Sequence, residues 1–155
     1  MVFKNNFFII PAVVIVVSLL GSLATSSGMS WYNTLKFPKI APPGYIIGLV
    51  WTLLFILMAV AILLFWNSST RGHNFYLILG LLIANGLLNI LWCVLFFTLH
   101  SPAWALAEVF VLNLTNVLLI VLFWRPSLWS AILFIPYFLW VSFATYLNYS
   151  FWRLN

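Results

Sequence analysis

Residues 103–127 read AWALAEVFVLNLTNVLLIVLFWRPS. From Ala103 to Trp124 the run holds one acid, Glu108, and no base, and it is long enough to cross ~30 Å of hydrocarbon as a helix. Arg125-Pro-Ser127 then ends it, because the residue before a proline is pushed out of the helical region, and a new apolar run begins at Leu128. Read outward, the same pattern predicts five spans at about 7–24, 44–66, 75–98, 103–124 and 128–152. The polar turn Asn67–His73 and the short turn His100-Ser-Pro102 separate three of them, and one long loop, 25–43, separates the first two. Strands of a membrane barrel would alternate polar and apolar residues over ~10 positions, and no such period is present. One domain over 1–155 is expected: an all-α membrane protein, a five-transmembrane-helix bundle.

Composition excludes the alternatives. Of 155 residues, 66% are hydrophobic and 5% charged, six basic and one acidic, and the mean hydropathy is +1.18. A soluble domain carries ~25% charged residues, so this chain cannot coat a water-facing shell. The net charge of +5 is not a nucleic-acid signal, since Lys4, Lys36, Lys39, Arg71, Arg125 and Arg153 are scattered singly at span ends, where they suit lipid headgroups. With five spans the two sides carry three bases each, so orientation is not fixed by charge. The first span also reads as a secretory leader, with Lys4 before an apolar core and Ser22-Leu-Ala24 after it, but its apolar run exceeds the usual ~7–15 residues, so a span is expected. The single cysteine, Cys93, excludes an internal disulfide and any cysteine-based metal cage. No metal site is expected.

Few residues carry chemistry. The loop contains Trp31-Tyr-Asn-Thr-Leu-Lys-Phe-Pro-Lys-Ile-Ala-Pro-Pro43, whose aromatics and prolines favour an ordered lid or an interfacial anchor over a flexible linker. Asn85 and Asn89, with Trp92 and Phe96, mark one face of the third span, which must point into the bundle because amides in lipid need partners. Gly80 and Ala84 form a small-xxx-small pair that permits close helix approach, as a homodimer seam or as internal packing. Glu108, the only acid, is expected to face the bundle, protonated or hydrogen-bonded. On the fifth span Pro136, Trp140, Phe143, Ala144 and Leu147 share a face, and small Ala144 among aromatics leaves space for a flat apolar molecule. No nucleophile–base set, metal-ligand spacing or phosphate loop is present, and one acid excludes paired-carboxylate catalysis within a chain.

Taken in order, Trp31-Tyr-x-x-Leu35, Pro38, Pro42-Pro43, Gly48, Trp51, Asn89-x-x-Trp92-x-x-Leu-Phe-Phe97, Trp104-Ala-Leu-Ala-Glu108 and Pro136-Tyr-x-x-Trp140-x-x-Phe-Ala-Thr-x-Leu-Asn148 resemble the translocator protein family, also called the tryptophan-rich sensory protein or peripheral-type benzodiazepine receptor family. The resemblance runs from Trp31 to Arg153. It implies a five-helix bundle, often dimeric, that binds porphyrins and other flat lipophiles under the first loop. It implies a pocket formed by Tyr32, Pro42, Ile47, Trp51 and Phe55 from the lid and second span, completed by Asn85, Asn89, Trp104, Glu108, Trp140, Phe143, Ala144 and Leu147. Trp51 and Trp140 would be the partners in any light-dependent porphyrin breakdown. Three departures stand out: the loop reads Phe37-Pro-Lys-Ile40 where the family has Lys-Pro-x-Trp, Glu108 stands where Asp is common, and the acidic C-terminal extension of animal members is missing after Asn155. A compact microbial member is therefore expected, in the cell membrane, with porphyrin rather than sterol as its ligand. Binding and sensing, photo-oxidative degradation, and lipid or sterol transport are the competing functions; nucleic acid is not an expected partner.

Overall fold

The structure, a computed structural model, describes residues 5–68 and 74–155. Lys4, Arg71, His73 and most of the polar turn expected at 67–73 lie outside the described residues. The described elements are α1 (Asn6–Ser27), α2 (Met29–Tyr32), α3 (Gly44–Asn67), α4 (Phe75–Cys93, continued by a π-helical turn, Val94–Thr98), α5 (Pro102–Phe123) and α6 (Leu128–Leu154). All but α2 are long and apolar enough to cross a membrane, and the protein is an integral multi-pass membrane protein.

Local chemistry sets the boundaries. Pro102 opens α5 at a position where its missing N–H has no intrahelical partner to lose. His100 sits in the left-handed region at φ 52, which reverses the chain between the π turn and α5. Two bonds record the wider winding before it: the Leu99 N–H donates to the Val94 carbonyl at 2.8 Å and the Ser101 N–H to the Leu95 carbonyl at 2.9 Å. The extra residue per turn lets the consecutive Phe96 and Phe97 both be buried.

The expected loop 25–43 is shorter than its sequence implied. Residues 25–27 finish α1 and Met29–Tyr32 forms a helical turn, so the lid proper is Asn33–Pro43. Gly28 is the cause: it is buried, and a Cβ there would collide with the Phe97 carbonyl, so the chain turns against the π segment. The hydroxyls of Ser27 and Thr98 meet beside it at 2.9 Å.

The larger packed core lies between α3, α5 and α6, and a smaller one, Phe96, Phe97, Ala105 and Phe151, lies against Trp31, Tyr32 and Leu35. Leu54, Met58 and Phe65 of α3, Leu112, Leu119 and Phe123 of α5, and Phe134, Tyr137 and Val141 of α6 are buried together. Lipid gives no hydrophobic drive between helices, so polar side chains pin the bundle. Ser130 donates to the Ala61 carbonyl at 2.7 Å, joining α6 to α3, and Asn113 donates to the Ser142 hydroxyl at 2.9 Å, joining α5 to α6. Helix α1 is different. It buries only Asn6, Ile10 and Gly21; Asn6 donates to Asn67 at 3.1 Å, Val17 and Gly21 pack against α4 at Gly86 and Cys93, and Gly28 meets the π turn. Behind its middle there is space.

Candidate functional site

That space is a cavity of about 1050 Å³ between α1, α3, α4 and α6, covered by α2 and the lid. It lies at the upper end of the ~300–1,000 Å³ typical of small-molecule sites, so it is sized for a large ligand. Its walls combine indoles (Trp51, Trp92, Trp140), phenyl rings (Phe55, Phe96, Phe143) and aliphatic groups, and among the described residues no charged side chain lines it.

From the sites expected on sequence, Tyr32, Ile47, Trp51 and Phe55 line this cavity from the lid side and α3. Asn89 lines it from α4, and Trp140, Phe143, Ala144 and Leu147 line it from α6. Tyr32 is held by a ring cluster, with centroids 5.0 Å from Phe37, 5.4 Å from Phe97 and 5.4 Å from Phe151. Burial raises its phenol above the ordinary value, so it meets the cavity as a neutral hydroxyl. Trp51 lies 5.7 Å from Phe55 and edge-on to Tyr137 at 6.1 Å; Trp140 lies 5.4 Å from Phe143. The Trp140 indole N–H is buried without a hydrogen-bond partner among the described residues, a donor left for something else to satisfy.

Four expected residues do not line the cavity. Pro42 is half-buried at the approach to α3, one residue before the helix cap. Asn85 turns to α5, donating to the Thr115 hydroxyl at 2.8 Å and to the Asn116 amide oxygen at 2.7 Å. Residues four apart on a helix differ by about 40° in direction, enough for Asn89 to turn instead to α6 and donate to the Tyr137 hydroxyl at 3.0 Å. Trp104 is 70% exposed: the buried stripe of α5 runs through Ala105, Glu108, Val109 and Leu112, and the large indole one position earlier falls on the lipid side at the helix start. Glu108 is buried and faces the bundle, but neither carboxylate oxygen has a hydrogen-bond partner among the described residues, so the hydrogen-bonded form of the expectation is not seen. Gly80 is exposed on the outer side of α4, where a side chain would meet no other described element, and Ala84 is half-buried.

Sequence reasoning missed other wall residues. Ser18, Ser22 and Thr25 of α1 line the cavity, yet that helix is apolar nearly all round and gives no facing signal. Asn148 has a packing role that its place in the motif does not reveal. It accepts from the Trp92 indole N–H at 3.0 Å and donates to the Pro102 carbonyl at 2.8 Å, locking three helices at the cavity wall. No group of three or more histidine, cysteine or acidic residues capable of holding a metal is present among the described residues.

Over residues 8–153 the chain matches the model of the TspO/MBR family. It is 32% identical over 148 residues to the tryptophan-rich protein TspO of Archaeoglobus fulgidus, spanning 92% of each. It is 32% identical over 139 residues to the tryptophan-rich sensory protein of Cereibacter sphaeroides, spanning 87% of this chain and 85% of the relative. To the human translocator protein it is 31% identical over 129 residues, spanning 83% of this chain and 76% of the relative.

Proposed function

The chain belongs to the TspO/MBR family, and from that membership we propose that it binds porphyrins and other flat lipophilic molecules within the membrane, in their sensing or transport. The observation that carries this reading is the large cavity whose walls are aromatic and uncharged. Faces of Trp51, Phe55, Trp140 and Phe143 offer stacking surface to a flat ring system, and the unpartnered Trp140 N–H offers one polar contact. Exposed Lys36 and Lys39 flank the lid near Phe37, a wall residue, where they suit carboxylates at the edge of a porphyrin. The relatives named tryptophan-rich sensory protein and translocator protein support sensing or transport as the use of such binding.

A second reading, light-dependent breakdown of the bound porphyrin, is favoured by one observation: Trp51 of α3 and Trp140 of α6 are two of the indoles that line the same cavity. Binding requires only the cavity; breakdown requires the indoles to react. We further infer a homodimer, with outward-facing Gly80 in the seam, because a glycine there lets a second helix approach closely. Disulfide cross-linking of Gly80→Cys tests the seam.

The binding reading is tested by titrating protoporphyrin into the protein in lipid nanodiscs and following quenching of tryptophan fluorescence. Saturation at one porphyrin per chain is expected. Partition indistinguishable from that into empty nanodiscs would overturn it.

A further inference from the structure

The lid is fastened differently at two places. At the start, Gly28 is buried and jammed against the Phe97 carbonyl, a backbone contact with no slack. Further on, at Lys36, the polar fastening is one exposed side chain. The Lys36 N–H donates to the Asn155 side-chain oxygen at 2.8 Å, and the Asn155 amide donates back to the Lys36 carbonyl at 3.3 Å. The same amide donates to the Phe151 carbonyl at 3.1 Å, which fixes its direction on the end of α6. One primary amide thus grips both main-chain polar groups of one lid residue. Next to it, the Phe37 ring packs edge-on to Phe151 at 5.4 Å, and both line the cavity.

Hydrogen bonds exposed to water exchange with solvent readily, whereas a buried backbone contact does not. We propose that Asn155 is the latch of the lid: its amide holds Lys36 down, the segment around Lys36 and Phe37 lifts between the fixed Gly28 and the start of α3, and opening sets the exchange of the cavity with water. The consequence for ligand release rests on the binding function proposed above; the consequence for solvent access does not.

Cys93 provides a built-in reporter, being the only cysteine and part of the cavity wall. The full chain in nanodiscs is reacted with a charged, water-soluble maleimide, and thermal unfolding is measured alongside. Asn155→Leu removes both bonds to Lys36 at similar size, and labelling of Cys93 is expected to accelerate roughly tenfold with little change in unfolding temperature. Asn155→Asp keeps an acceptor for the Lys36 N–H and loses the donor, so its rate should fall between parent and Asn155→Leu. Labelling of Asn155→Leu at the parent rate, or acceleration matched by a general loss of thermal stability, would overturn the latch. Release of bound protoporphyrin should accelerate in the same order. If protoporphyrin binds neither parent nor variant, the binding reading fails, while the Cys93 rates still decide the latch.

Discussion

Gly28 and the carbonyl of Phe97 are in such close contact that no side chain fits between them. The contact joins the end of α1 to the π turn of α4, and it fixes where the lid begins. Gly28→Ala must therefore displace backbone, not a flexible side chain. We expect a loss of about 3 kcal/mol, the upper end for overpacking, measured by thermal or denaturant unfolding in detergent. A variant as stable as the parent would show that the contact relaxes freely.

Asn85 and Asn89 look equivalent in sequence and are not. Asn85→Leu breaks bonds to Thr115 and Asn116 away from the cavity and should lower stability by about 1–2 kcal/mol, leaving porphyrin affinity in the folded fraction unchanged. Asn89→Leu removes an amide from the cavity wall, along with its bond to the buried Tyr137 hydroxyl, and should weaken binding as well. Equal effects of the two on affinity would contradict the division.

Glu108→Gln preserves side-chain shape at a buried position outside the cavity lining. Ligand affinity should stay within about twofold of the parent, as for a site that shares no partners with the ligand. Reconstituted vesicles should carry no proton current with either side chain. A parent current that the substitution abolishes would assign transport of charge to this residue.

The spans were legible because bilayer thickness dictates their length and the chain has almost no charge to interrupt them. The inward stripes were legible too: Asn89 and the Trp140–Leu147 face lie at the cavity. What each member of a stripe touches was not, since a 40° difference in direction decides between α5 and α6, and sequence spacing does not say where the neighbours stand. Trp104 misled for the same reason, sitting at the edge of the α5 stripe and facing lipid. The lid boundary depended on Gly28 meeting Phe97, residues 69 positions apart, and the grip of Asn155 on Lys36 spans 119 positions. Neither leaves a local signal.

Trp51→Phe and Trp140→Phe keep most of the apolar wall and remove the indoles. Each should reduce protoporphyrin affinity by only a few-fold, a fraction of the ~0.5–1.5 kcal/mol assigned to aromatic pairing. If the indoles react, light-dependent loss of porphyrin absorbance should slow markedly in both. Bleaching as fast as in the parent, and as fast as free porphyrin in detergent, would leave binding alone.

If a flat lipophile occupies the space beside Ala144, protoporphyrin titrations of the parent and of Ala144→Phe in nanodiscs must differ. Ala144 lines the cavity together with Trp51 and Trp140, so a phenyl group there should fill the site and weaken binding at least about tenfold, the equivalent of ~1.4 kcal/mol, without unfolding the protein. Saturable binding of unchanged affinity in a folded Ala144→Phe variant would place the ligand elsewhere.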